Sequence, residues 1–256
     1  MGATPLAVEP EKDGALLRLR LSRPKANIVD AAMIAALRAA LGEHLPGARL
    51  RAVLLEAEGP HFSFGASVEE HLPGSAAAML RELHALILQL VGSPVPVLVA
   101  VRGQCLGGGL ELAAAGHLIF AAPGAMFGQP EIKLAVFAPA ASCLLPEKIG
   151  PSRSEDLLFS GRSIGAEEAH RIGLVNALAD DPSQAALAYF EEHLAKRSAG
   201  SLRLAVRAAR YDFVYRIRRK LAEVERLYLE ELMATHDAVE GLTAFIAKRP
   251  AAWEDR

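Results

Sequence analysis

The chain has 256 residues, 52% of them hydrophobic, and carries 28 basic against 30 acidic side chains for a formal charge of −2. This composition excludes disordered and fibrous chains, and with a pI near 6.5 it gives no global electrostatic reason to seek nucleic acid or an anionic membrane. Cys105 and Cys143 are too few for a disulfide framework, so a reducing, cytoplasmic setting is expected.

Met1 to Gly14 holds Glu9, Glu11 and Asp13 and lacks the apolar run of a signal peptide, while Leu6 stands where a myristoylation signal needs Ser or Thr. Neither export nor a lipid anchor is expected. Leu16 to Leu21 alternates Leu with Arg, the period-two pattern of a half-buried strand, until Ser22-Arg23-Pro24 breaks it. Asp30 then suits the N-cap of a helix whose apolar positions Met33, Ile34, Leu37, Leu41 and Leu45 recur at helical spacing, before Pro46-Gly47 ends it. Ala52 to Leu55 reads as a buried strand, Ser75 opens a second helix with Met79, Leu80, Leu83, Leu86, Ile87 and Leu90 on one face, and Val95 to Val101 is a third strand. No apolar run approaches the ~20 residues that span a bilayer. Strands alternating with amphipathic helices predict an α/β fold with parallel pairing.

After Gly161 helical patterns dominate, and the last sixty residues or so hold no convincing strand. Between Lys196 and Arg226 ten basic residues face only Asp212, Glu223 and Glu225. A solvated, salt-bridged helix face is the commoner meaning of such a run, with a phosphate-binding patch as the alternative. No fixed-period repeat is evident.

The densest chemical signal is the strand, glycine-rich turn and helix from Val97 to Ala115. Glycines permit positive φ and close backbone approach, and a helix N-terminus offers free N–H groups to an anion or a developing oxyanion. The Walker pattern fails, because Gly109 stands where Lys is required, and the G-x-G-x-x-G fingerprint is absent. Gly103-Gln104-Cys105-Leu106-Gly107 fits the nucleophile elbow of α/β-hydrolases, which would make Cys105 the nucleophile of a cysteine hydrolase, although buried inert cysteine is the more common state. Glu111 on the first turn of an apolar helix is costly to bury without a task or a partner, and Glu131 lies in a similar setting after Phe127-Gly128-Gln129-Pro130. An acid/base pair of these two glutamates is a third reading.

These segments, in this order, closely resemble the enoyl-CoA hydratase/isomerase (crotonase) superfamily. Ser22-Arg23-Pro24-Lys25-Ala26-Asn27 is similar to its CoA-contacting turn, and Phe62-Ser63-Phe64-Gly65-Ala66-Ser67-Val68 to the segment that carries an oxyanion donor. Gly107-Gly108-Gly109-Leu110-Glu111 and Phe127-Gly128-Gln129-Pro130-Glu131 are similar to its two active-site motifs, and Glu240 to Arg249 to its C-terminal helix. The resemblance implies a spiral of strand–strand–helix turns over residues 1–198, and a helical oligomerisation region over 199–256 that builds a trimer or a dimer of trimers. It implies a CoA thioester whose carbonyl oxygen lies between the backbone N–H groups of Ala66 and Gly108, with Glu111 activating water and Glu131 delivering the proton. Lys25, Ala26, Asn27, Gly65, Ser67, Val68, Gly107, Phe137, Phe245 and Lys248 are carried over as substrate-binding residues, Phe245 and Lys248 toward the CoA of a neighbouring subunit. No metal and no cofactor beyond the substrate's own coenzyme A is implied, and no nucleic-acid or membrane partner.

Ser67 in place of the usual aspartate, Asn27-Ile28-Val29-Asp30, and Val136 to Pro146 depart from the common pattern. Together with Gly103-Gln104-Cys105-Leu106 they resemble the branch that hydrates cyclic dienoyl-CoA thioesters in anaerobic benzoyl-CoA degradation. Hydration or isomerisation of a linear enoyl-CoA, or binding of RNA through the basic helix, are the alternatives.

Overall fold

The computed structural model describes residues 4–256, so the leader reading at Met1 to Ala3 lies outside the described residues. In chain order the strands are β1 (Leu6–Glu11), β2 (Leu16–Leu21), β3 (Ala52–Ala57), β4 (Val97–Val101), β5 (Gln104–Leu106), β6 (Leu118–Ala121), β7 (Met126–Gly128), β8 (Ser163–Gly165) and β9 (Ala177–Leu178). Six of them form one sheet in the order β1-β2-β3-β4-β6-β9, parallel except for the antiparallel β1–β2 pair. β5, β7 and β8 form a second, smaller sheet. β4 is buried at every position, as expected of a parallel strand covered on both faces.

The alternation in β2 is real, but both of its faces are covered. Leu17, Leu19 and Leu21 enter the main core, each such burial contributing about 1.5–3 kcal/mol. On the other face Arg18 and Arg20 reach the buried Glu56 of β3 at 2.7 and 2.8 Å, and Glu11 and Glu9 of β1 at 3.3 and 3.2 Å. Burial opposes ionisation of Glu56, yet the hydrogen bonds from the two guanidinium groups outweigh it and hold the carboxyl below its ordinary range. The acidic N-terminal stretch is therefore an edge strand whose charges match those of β2.

The chain winds through both sheets in successive turns, each ending in a helix. β2 leads to Val29 and α1 (Ala31–His44), and β3 leads through Ser63 and Ala66 to α2 (Ala76–Val91). β4 leads to β5 and α3 (Gly108–Ala115), and β6 to β7, a 3-10 turn (Pro130–Leu134) and α4 (Pro139–Ile149). Single parallel bridges, Val29 with Ala66 and Ser63 with Cys105, extend the second sheet across the early turns. The repeat is invisible in sequence because its first strands begin at Leu16, Ala52, Val97 and Leu118, at unequal intervals. Asp30 caps α1 by accepting from the Met33 amide at 2.9 Å, whereas Ser75 precedes α2 without a side-chain capping bond.

Beyond α5 (Pro151–Ser160), α6 (Ala166–Arg171) and α7 (Pro182–Tyr189) come α8 (Ala199–Arg226) and α9 (His236–Ile246). Several cations of the basic stretch lie on α8 and close the C-terminal ends of core helices. Arg203 donates to the carbonyls of Leu45 and Gly47 after α1, and Arg210 to Val91 of α2, Ala115 of α3 and Gly116. Lys220 donates to the Ser142 carbonyl at 2.7 Å, and Arg216 pairs with Glu147 at 2.9 Å. At the helix C-termini Arg203 and Arg210 satisfy carbonyls that have no intrahelical partner and complement the dipole, whereas Ser142 lies early in α4 with Pro146, which has no N–H to give, four residues on. These four residues thus have a structural use. No helix among the described residues is long and apolar enough to cross a membrane.

Candidate active site

A cavity of about 330 Å³ lies where the N-termini of α3 and α4, the Pro130–Leu134 turn and α9 converge. Gly65, Ala66, Val68, Gly107 and Gly108 line one side, and Phe137, Leu242 and Phe245 lie on its apolar walls. Glu111 and Glu131 both open onto it.

The glycine turn does what its sequence suggested. Gly107 adopts φ +50°, and a Cβ there would lie 2.7 Å from a Glu131 carboxylate oxygen. Gly65 adopts φ +115°, with its N–H bonded to the Ser63 hydroxyl at 3.1 Å and its carbonyl accepting from the Val29 amide at 2.9 Å. The Ser63 hydroxyl in turn donates to the Asn27 carbonyl at 2.8 Å. This fixed chain of bonds presents the Ala66 amide beside Gly108: a Cβ on Gly108 would meet the Ala66 nitrogen at 3.0 Å. Neither amide finds an acceptor among the described residues. Two adjacent backbone donors directed at a cavity suit a carbonyl oxygen that gains negative charge.

Glu111 is only 3% exposed, and one of its oxygens accepts from the Ala141 amide at 2.8 Å. Pro139 at the first position of α4 pre-sets helical φ and lacks an N–H of its own. Burial pushes the Glu111 carboxyl up to about 7, against the lowering effect of the Ala141 and Ala140 amides. Glu131 stands on the 3-10 turn behind Pro130, and burial together with the charge of Glu111 pushes it up to about 8. Around neutral pH the pair therefore holds a carboxylate able to accept a proton and a carboxylic acid able to give one. The side-chain amide of Gln129 sits 2.9 and 3.0 Å from the two Glu131 oxygens.

The cysteine-elbow geometry is not present. Cys105 is the middle residue of β5, fully buried in the core, and burial pushes its thiol well above the ordinary range. A nucleophilic cysteine needs the opposite environment.

The family model described as enoyl-CoA hydratase/isomerase matches residues 11–256. The chain belongs to the enoyl-CoA hydratase/isomerase family. It is 68% identical over 254 residues to a cyclohexa-1,5-dienecarbonyl-CoA hydratase of Thauera aromatica, covering 99% of this chain and 98% of that one. It is 31% identical to a probable enoyl-CoA hydratase of Bacillus subtilis, over 97% of each chain. Among solved structures, an enoyl-CoA hydratase/isomerase from Pseudoalteromonas atlantica superposes with a TM-score of 0.84 at 26% identity, covering 97% of this chain and 99% of that one.

Other residues that the enoyl-CoA hydratase/isomerase resemblance nominated are placed unevenly. Lys25 and Lys248 are exposed, Ala26 accepts from the Phe64 amide at 2.9 Å, and the Ser67 hydroxyl donates to Glu69 rather than facing the cavity. Asn27 is buried with its side chain fully used: its oxygen accepts from the Arg23 amide, and its nitrogen donates to the Glu58 and His61 carbonyls. Any effect of Asn27 on a ligand runs through the turn it holds. Phe245 lines the cavity of its own chain. Gly241, whose added Cβ would lie 2.2 Å from the Leu134 carbonyl oxygen, lets α9 settle directly on the Glu131 turn.

Sequence reasoning did not single out Gln129, the Ala140 and Ala141 amides, or Leu242. Pro139 before two alanines was an available sign of a helix start, whereas Leu242 carried no signal beyond helical spacing. Among the described residues no group of three or more His, Cys, Asp or Glu side chains is placed to hold a metal.

Proposed function

We propose that the protein hydrates a cyclic dienoyl-CoA thioester, converting cyclohexa-1,5-diene-1-carbonyl-CoA to 6-hydroxycyclohex-1-ene-1-carbonyl-CoA in anaerobic benzoyl-CoA degradation. The observation that carries the chemistry is the opposed pair of carboxyls, near 7 and near 8, beside two open amides in one apolar cavity. The choice of a ring rests on the 68% identity to the Thauera aromatica hydratase and on an acyl wall that includes Phe137.

In this reading the thioester oxygen accepts from the Ala66 and Gly108 amides. Ionised Glu111 takes a proton from water, whose oxygen bonds to the β-carbon, and the electron pair moves into a dienolate held by the two amides. Protonated Glu131 gives its proton to the γ-carbon, and the double bond re-forms between the α-carbon and the ring carbon on its other side. One water is added, and proton exchange between the carboxyls through solvent restores the starting state. The exposed amines of Lys25 and Lys248 suit the CoA phosphates, and no further cofactor is needed. A cytoplasmic homotrimer, or a dimer of trimers, is the assembly this reading carries. The exposed Leu204, Tyr211 and Tyr215 on α8 supply an apolar face for it.

The test offers purified protein crotonyl-CoA, cyclohex-1-enecarbonyl-CoA and the 1,5-dienoyl-CoA, with products identified by mass. Gain of one water by the dienoyl thioester is expected. Turnover of crotonyl-CoA alone rejects the cyclic substrate in favour of a linear enoyl-CoA.

A further inference from the structure

Besides the two glutamates and the exposed Lys133, the polar side chain that lines the cavity is His71, set among apolar lining residues such as Val68, Leu80, Leu83 and Phe137. An aliphatic residue would complete such a wall without the cost of taking an imidazole out of water. The ring therefore calls for a use.

The backbone fixes what the ring can offer. His71 closes the 3-10 turn Glu69–His71, which follows the Ala66 amide along the chain, and its Nδ1 lies 2.7 Å from the Ser67 carbonyl oxygen. A carbonyl only accepts, so Nδ1 carries the ring proton, and Nε2 of the neutral ring is left as an acceptor. Burial, outweighing the Ser67 carbonyl, holds the ring below its ordinary 6.5, so it is neutral around physiological pH. No described residue bonds to Nε2. In His84 and His117 the same nitrogen is also unpartnered but is sealed from solvent, whereas His71 is only half-buried and borders the cavity. Its ring lies 6.4 Å from that of Tyr228, which in turn meets Phe137 edge-on at 5.2 Å. The imidazole is thus held by the Ser67 carbonyl on one nitrogen and by a packed row of rings, and needs little further ordering to receive a ligand.

We propose that His71 is a specificity-determining residue of the acyl pocket, its Nε2 accepting a hydrogen bond from the hydroxyl that hydration places on the ring. This rests on the hydratase reading. The Ala66 and Gly108 amides and a protonated Glu131 all donate, so a neutral acceptor on the wall adds a contact that only a ligand with its own O–H can use. A ketone oxygen at the same ring position presents lone pairs to a lone pair, and a bare ring carbon presents nothing.

The test measures Kd by calorimetry, with wild type and His71→Leu, for three ring thioesters: 6-hydroxycyclohex-1-enecarbonyl-CoA, its 6-oxo counterpart, which has the oxygen without the proton, and cyclohex-1-enecarbonyl-CoA, which has neither. The expected result is a loss on the order of tenfold for the hydroxy thioester alone, so that the preference for hydroxyl over ketone disappears. Equal losses for all three would show that His71 only holds its turn through Ser67, and overturn the proposal, as would no loss for any. Nitrogen NMR of wild-type protein carrying isotope-labelled histidine gives a readout that does not depend on the folding of His71→Leu. The Nε2 signal of His71, assigned by its loss in His71→Gln, should shift with the hydroxy thioester and not with the oxo one; a signal indifferent to the hydroxyl rejects the assignment. Hydration of the dienoyl thioester by the wild type keeps the hydratase reading intact through any of these failures, whereas its absence overturns both.

Discussion

Two helices, α3 and α4, direct their N-termini into one cavity, and their first turns are used in opposite ways. At α3 a glycine turn strips the backbone bare, leaving the Gly108 amide open beside that of Ala66. At α4 the corresponding donors, Ala140 and Ala141, are covered by Glu111. In the proposed reaction one helix end serves charge that develops on a ligand, while the other holds a charge that belongs to the protein. The contrast extends to the two carboxyls, both raised by burial. Glu111 has amides that favour its ionised form and reaches about 7, whereas Glu131 feels both burial and the charge of Glu111 and reaches about 8. Hydration by this pair requires Glu111 ionised and Glu131 protonated, so kcat/KM should peak between limbs near these values, which belong to the coupled pair.

The largest break in the comparison is Glu111→Gln, which leaves the α4 amides with an acceptor but removes the proposed base. Hydration should fall on the order of 10²–10⁴, measured by product mass, while the fold survives. Stability supplies a second reading with a definite sign. The folded carboxyl lies above its ordinary 4.5, so the unfolded chain loses this proton first as pH rises. Any favourable contribution of the neutral carboxyl, complete below about 4.5, is lost as pH rises through about 7. The Tm of Glu111→Gln relative to wild type should therefore increase from pH 5 to pH 8. A constant difference would mean that Glu111 is not held near neutrality. Next in size is Gly108→Ala at the other helix, where the new Cβ would press on the Ala66 nitrogen at 3.0 Å and its Cβ at 3.1 Å. A disturbed donor pair should cost on the order of 10² in kcat and leave both pH limbs in place.

A smaller change tests the α4 side alone. Ala141→Pro removes one N–H in the first turn of a helix, where proline is tolerated. That N–H lowers the Glu111 pKa, so its loss should move the acidic limb of the kcat/KM profile to higher pH, with little change in KM. An unmoved limb would show that the α4 amides position the carboxyl without tuning it.

The sequence carried the two helix ends unequally. Gly107, Gly108 and Glu111 announce the α3 end because positive φ and close approach restrict residue type, and β2, α1, β3 and β4 were legible from their periodicity. The α4 end uses the main chain of Ala140 and Ala141, which any residue except proline supplies, so its composition says nothing of the task. Strands of two or three residues such as β8 and β9 are too short to show a period, and β1 was hidden because its partners set its charge pattern.

The smallest expected effect separates a glycine turn that serves an oxyanion from one that serves a thiol. Both uses place a small loop between a strand and a helix, and the elbow pattern in Gly103 to Gly107 is compatible with either. In the structure the turn begins only at Gly107, after Cys105 has paired in β5 with Phe127 of β7 and entered the core. Its thiol is held protonated by burial, away from solvent and from the cavity lining. Cys105→Ala should therefore keep hydration within about twofold of wild type and cost about 1 kcal/mol of stability for the lost packing, read by denaturant unfolding. Native protein should also resist inactivation by iodoacetamide at either thiol, because Cys143 is 1% exposed with its pKa pushed up to about 12. Loss of hydration in Cys105→Ala with an unchanged unfolding curve would return the glycine turn to nucleophile chemistry and leave the α3 amides without the role that sets them against those of α4.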